Sequence, residues 1–201
     1  MSKNHDPIKT IQYACQLLSE GKNDKAALLI ASDYPFEPKS NAGRKYSISE
    51  QTQIYVRDGF IDRYTGKRLI YTPALRLLSY FFPKEFPYHL NWKATACHTA
   101  YWDLTPTLDH IIPVSQGGAS SKENLVTCSM LTNSKKSNWS MGQVGFSLVP
   151  RGNLAEWDGM VSWFMQQIAN TPGLDQESGL RKWYIAAKKI QWVNEGMLDE
   201  P

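Results

Sequence analysis

An acid and an imidazole stand side by side, Asp109-His110, inside a short apolar run between Leu104 and Val114. On a strand, neighbouring side chains project to opposite faces, so both reach one place only where a bulge or distortion brings them there. Burying either group without a partner costs several kcal/mol. Taken alone, the pair also fits a surface ion pair or a satisfied strand-end pair. The downstream residues narrow the choice: Gly117-Gly118 supplies a turn, Leu125 to Thr127 a returning strand, and Asn133 to Lys136 the entry to a helix. The predicted order is strand, strand, helix.

The rest of the chain reads as helical. Asp6-Pro7 caps an amphipathic helix that ends at Gly21, and Asp24 to Ser32 predicts a second. Residues 35–45 are loop chemistry. Ser47 and Glu50 make a capping box that opens a helix through about Arg57 and stops at Gly59. Thr72-Pro73 opens another, Ala74 to Phe82, and the aromatic, proline-rich segment Phe81 to Trp102 predicts an irregular packed insertion. Two further helices are expected near Trp157 to Ala169 and Gly179 to Val193. The expected organisation is a helical N-terminal region and linker (1–45), a core (46–145) holding an insertion (70–107), and a C-terminal helical region (146–201). The fold class is α+β.

Composition sets the limits. The 201 residues, 42% of them hydrophobic, suffice for a core without disulfide staples. Cys15, Cys97 and Cys128 are too scattered for a disulfide framework, which points to a reducing compartment. The N-terminus lacks a signal-like apolar stretch and no apolar run approaches the roughly 20 residues that span a bilayer, so the expected location is the cytoplasm, away from membranes. The net charge of +3 hides an uneven distribution: residues 39–84 hold nine basic side chains against three acidic ones. Such a stretch serves either as a solvated face or as a phosphate track.

With these residues in place, the chain resembles the HNH endonuclease signature, the ββα-metal nuclease motif. The match runs through Asp109-His110, Asn124 and Asn133, the two asparagines nine positions apart, with Lys136 three beyond. The terminal Asn in place of His is similar to the form in the HNH domain of RNA-guided CRISPR effectors and in many bacterial and phage enzymes. Upstream, Arg57-Asp58-Gly59 to Thr65-Gly66-Lys67 resembles the family's opening, so the likeness covers about residues 55–139. It implies a ββα-metal core embedded in a mainly helical scaffold.

One departure stands out. Many relatives brace the motif with zinc held by two Cys-x-x-Cys pairs, and the corresponding positions here are Asp62, Thr65, Ser129 and Thr132. Without thiolates there, no structural zinc is expected, and packing of the flanking helices and the insertion is expected to brace the motif instead.

By resemblance, His110 is the general base for an attacking water, which a neutral imidazole performs near pH 7. Asp109 and Asn133 are implied as oxygen ligands to one hard divalent cation, Mg²⁺ or Mn²⁺, and Asn124 as the residue that ties down the loop behind the Asp-His pair. Asn133 is also a favoured helix N-cap. Arg63, Lys67, Arg68, Lys135 and Lys136 are candidate phosphate contacts. The implied partner is DNA in double-stranded form, and since such a site cuts one strand, a homodimer is one route to cutting both. Restriction or anti-phage defence is the expected setting, and a mobile-element, phage or repair nuclease fits nearly as well. The rival reading is a non-catalytic DNA-binding module of a defence or phage complex. His98 stands as a packed or exposed histidine, a phosphate contact or a zinc ligand with Cys97. The stripe of Trp157, Trp163, Trp183 and Trp192 stands as core or as a stacking surface for unpaired bases.

Overall fold

The computed structural model describes residues 6–36 and 46–196, the last six by their backbone alone. His5 and the basic residues Lys39, Arg44 and Lys45 lie outside the described residues, as does the side chain of Trp192. The chain divides into two compact units, with the break between residues 42 and 43.

The first unit is a helical hairpin, α1 (Pro7–Ser19) and α2 (Asn23–Asp33). The Asp6 carboxylate accepts from the Ile8 amide and Pro7 sits in the first turn, so the sequence signals for the helix start act as expected. Ala14, Leu17 and Ala26 form its small core.

The second unit carries the ββα element. Strands β1 (Pro106–His110) and β2 (Leu125–Ser129) pair antiparallel in unbroken register, with Asp109 opposite Val126 and His110 opposite Leu125. Helix α6 (Met130–Lys136) follows β2 directly, capped by Ser129, whose Oγ accepts from the Thr132 amide. The returning strand therefore runs two residues beyond the predicted Thr127. The fold class is α+β, with a two-stranded sheet among helices.

Around this element lie α3 (Ile48–Arg57), α4 (Thr72–Phe81), the short α5 (Ala100–Asp103) and α7 (Met141–Val144), α8 (Val161–Asn170) and α9 (Arg181–Gly196). Both halves of the predicted Ser47-Glu50 capping box are present at the start of α3. After α3 the chain reverses at Gly59, where φ is +67° and an added Cβ would lie 2.3 Å from the Gly152 carbonyl oxygen. Helix α8 starts later than the predicted Trp157. Met160 takes a left-handed φ, and the Asp158 carboxylate accepts from the Met160 and Ser162 amides, which fixes the start at Val161.

The main core joins Tyr55, Phe60, Tyr71 and Leu77 to Phe164, Ile168, Leu180 and Ala187, so the C-terminal helices share one core with α3 and α4. Trp157, Trp163 and Trp183 pack against it, and the Trp157 indole N–H donates to the Leu69 carbonyl. The core reading therefore holds for these three tryptophans. In the insertion, Leu75, Cys97 and Tyr101 make a separate cluster against which Phe86 and Trp92 pack. His98 is packed as well, its ring stacked 4.1 Å from that of Phe86 and its Nδ1 accepting from the Ala100 amide. No helix among the described residues is long and apolar enough to cross a membrane.

Candidate active site

The end of β1 and the face of α6 line a cavity of about 860 Å³ that contains Asp109, His110 and Asn133 among its walls. The register shows no bulge. Asp109 and His110, still paired with Val126 and Leu125, both line this cavity because it runs along β1 and takes in consecutive residues of the strand. Asp109 is 6% exposed and His110 4%, so partners have to hold both.

For Asp109 those partners are Tyr64 and Lys136. The Tyr64 hydroxyl donates to Oδ2 at 2.6 Å, and the Lys136 ammonium lies 2.8 Å from the same oxygen. Burial, with the neighbouring Asp109 carboxylate adding to it, pushes the Tyr64 hydroxyl far above its ordinary pKa, so it remains a donor. Lys136 is fully buried and also donates to the His110 carbonyl oxygen at 2.7 Å. A buried ammonium persists only when paired and hydrogen-bonded, and here it ties α6 to the end of β1.

Asn133 lies inside α6. Ser129 is the N-cap, so the capping role open to Asn133 in the sequence falls to another residue. The Asn133 amide nitrogen donates to Thr107 Oγ1 and to the Leu108 carbonyl oxygen, both at 3.1 Å. Its Oδ1, like Asp109 Oδ1, accepts no hydrogen bond from the described residues. Each side chain thus has one atom fixed by the protein and one oxygen left over at the same cavity. That donor set, a carboxylate oxygen and an amide oxygen, suits a hard divalent cation that keeps places for water and phosphate oxygens. Among the described residues no three His, Cys, Asp or Glu side chains converge on one point.

His110 Nε2 lies 3.1 Å from the Tyr46 hydroxyl and 3.2 Å from Ser120 Oγ. Asn124 acts on the loop behind. Its Oδ1 accepts from the Ile112 amide at 2.9 Å, while its Nδ2 donates to the Ile112 and Ala119 carbonyls, closing the segment that leaves β1. Gly118 lets this clamp close, because a Cβ there would lie 1.8 Å from the Ile112 carbonyl oxygen.

The four positions that hold cysteines in zinc-bearing relatives form a hydrogen-bonded brace. Buried Asp62 accepts from the Tyr64 and Thr65 amides through Oδ1 and from the Ser129 amide through Oδ2. Ser129 Oγ in turn donates to Thr132 Oγ1 at 2.9 Å. To the expected packing, seen in Tyr64, Val126 and Cys128, the structure adds a carboxylate that crosses between the two turns. Cys128 is buried, and desolvation holds its thiol well above the ordinary range.

Two expected phosphate contacts need correcting. Lys136 is buried beneath the site, and the Arg63 guanidinium is committed to Asp58 and the Val149 carbonyl oxygen. Lys67, Arg68 and Lys135 are exposed. Lys67 pairs with Asp103 at 3.3 Å, and Arg68 lies over the Trp157 ring. Sequence reasoning missed Tyr46, Tyr64 and Ser120. Tyr64 meets Asp109 across 45 positions of sequence, and only the hairpin of residues 61–68 against β2, made by the Arg63 amide donating to Thr127, brings them together.

A family model described as HNH endonuclease matches residues 104–140, which span β1, the clamped loop, β2 and α6. Over these residues the chain is similar to the HNH endonuclease family. The HNH match includes Asp109, His110, Asn124 and Asn133 and leaves out the Arg57 to Lys67 segment, which joins the motif through Asp58, Asp62 and Tyr64. Comparison with curated proteins and with solved structures found no match to the chain.

Proposed function

We propose that the chain is a metal-dependent endonuclease that hydrolyses DNA phosphodiester bonds in the cavity at the end of β1. The observation that carries this is the meeting of Asp109, His110 and Asn133 on one cavity within an HNH motif. Asp109 and Asn133 would hold Mg²⁺ or Mn²⁺, which when bound supplies Lewis-acid stabilisation of charge on the phosphate. His110 takes the proton from the attacking water, and its ring is steadied by Tyr46 and Ser120. Lys136 and Tyr64 orient the Asp109 carboxylate, and Asn124 keeps the loop behind His110 in place. One such site cuts one strand, so cutting both takes two sites, as in a homodimer, or two events. Restriction or anti-phage defence is the setting proposed for this chemistry.

Incubation of DNA of varied sequence with the protein and Mg²⁺ or Mn²⁺, with sequencing of the released ends, tests the reading. The expected products carry 5′-phosphates and 3′-hydroxyls, and chelation of the cation stops their formation. Products that form equally in chelator, or DNA left intact across cations and substrates, would overturn it.

The two neighbouring lysines separate in their expected effects. Lys135→Ala should reduce the slope of log affinity for DNA against log salt by about one contact's worth. Lys136→Met should leave that slope unchanged and lower the melting temperature, because its ammonium serves Asp109 and the His110 carbonyl. Salt-titrated DNA binding and a melting curve check both.

A further inference from the structure

The cavity is longer than a phosphate and a cation require. Its wall includes every residue from Thr105 to His110, and at about 3.4 Å per strand residue this places its far end roughly 17 Å from the imidazole. The far end is identified by connections at the start of β1. The Ile70 amide donates to the Leu104 carbonyl oxygen, which brings Thr72 there, and the Tyr71 hydroxyl donates to the Trp183 carbonyl oxygen, which brings Trp183. Trp92 packs against Tyr101 and Trp102, just before Leu104.

The chemistry of this far end differs from that of a backbone track. Its walls are instead aromatic and hydroxylic. Trp92 is partly exposed and lines the cavity from a turn closed by its own amide donating to the His89 carbonyl, in a left-handed conformation with φ +50° that is costly for a large side chain. Thr105, 2% exposed, carries a buried hydroxyl at the wall with no hydrogen-bond partner. Aromatic faces with hydroxyls beside them match a nucleobase, and the cavity's size falls within the range of small-molecule sites.

We infer that this lobe binds an unstacked nucleobase a few nucleotides from the scissile phosphate, so that the preferred substrate is DNA with an unpaired nucleotide at that distance from the cut. The inference rests on the proposed nuclease function for the position of the cut. A base inside a continuous duplex is stacked on both faces and has to leave the helix to enter the lobe, which costs energy that an unpaired base does not spend. Trp92 supplies the stacking face.

The test uses a duplex with one unpaired 2-aminopurine and a continuous duplex of matched sequence. Binding to each is measured in EDTA by anisotropy and by emission of the base analogue. Wild-type protein should bind the bulged duplex about tenfold more tightly, the scale of one base–aromatic stack, and quench the emission. Trp92→Ala should lose both effects, and Trp92→Phe should keep most of each, with melting curves confirming that the variants fold. Equal affinity for the two duplexes, emission unchanged on binding, or an advantage that survives in folded Trp92→Ala would overturn the inference. Cleavage of the same duplexes with Mn²⁺ by wild-type and His110→Ala protein reads the nuclease assignment separately. Cleavage without preference sinks the lobe alone, and preferential binding without cleavage sinks the nuclease alone.

Discussion

Replacing His110 by alanine is expected to lower the rate of DNA cleavage by about 10³-fold, the middle of the range for a positioned general base. The loss should fall on kcat. His110 is 4% exposed and held at the strand end by Tyr46, Ser120 and the fixed backbone, with its own carbonyl bound by Lys136. Truncating its ring leaves the Asp109–Lys136 pair, the Asn124 clamp and the exposed lysines in place. DNA affinity should therefore stay within about twofold of wild type, since phosphate contacts supply most of it. Single-turnover cleavage beside equilibrium binding separates the two quantities. A fall in affinity matching the fall in rate would show that the imidazole holds the substrate and leaves the chemistry to another group.

Asp58→Ala should strongly destabilise the second unit. The carboxylate is fully buried, accepts hydrogen bonds from three residues and also pairs with Arg151 at 3.5 Å. Arg57 bonds both oxygens at 2.9 and 3.0 Å, Arg63 bonds Oδ1 at 3.2 Å, and the Thr127 amide bonds Oδ2 at 2.8 Å. Arg57 also donates to the carbonyls of Lys122 and Leu125, so one carboxylate fixes the guanidinium that anchors the start of β2. Removing one partner of a buried ion pair typically costs about 3–5 kcal/mol, because the remaining charge is stranded. For a chain of this size that is a fall in melting temperature of roughly 6–20 °C. Thermal denaturation of Asp58→Ala beside Asp58→Asn checks the point. The amide retains one acceptor oxygen and should recover part of the loss.

His110 and Asp58 sit on either side of what is legible in the sequence. Asp109, His110, Asn124 and Asn133 stand out by their spacing, which reflects the short path from one strand through a clamped loop to its partner and the following helix. Helix starts at Asp6-Pro7 and Ser47 are legible for the same reason, since a cap is a local contact. Contacts across the chain are not. Tyr64 and Tyr46 reach the site from 45 and 64 positions away, and nothing in their surroundings distinguishes them from other tyrosines. Lys136 resembles a phosphate contact because it follows Lys135, yet one helical step of about 100° carries the second lysine from solvent to the interior. Asp62 occupies the place of a missing cysteine. In the structure its carboxylate performs part of the tie between the 62–65 turn and the Ser129 cap through backbone amides, a substitution visible only once the two turns are seen together. The left-handed Trp92, likewise, is one aromatic residue among many in a segment without periodicity.

That Asp109, His110 and Asn133 form one hydrolytic site is tested most directly by nicking of supercoiled plasmid DNA in Mn²⁺. Wild-type protein is compared with Asp109→Ala, His110→Ala and Asn133→Ala, each verified as folded. Wild-type protein should nick the plasmid, and all three variants should lose at least about a hundredfold in rate. Nicking retained by any one of the folded variants, or intact plasmid with the wild type across the divalent cations tried, would contradict a shared site.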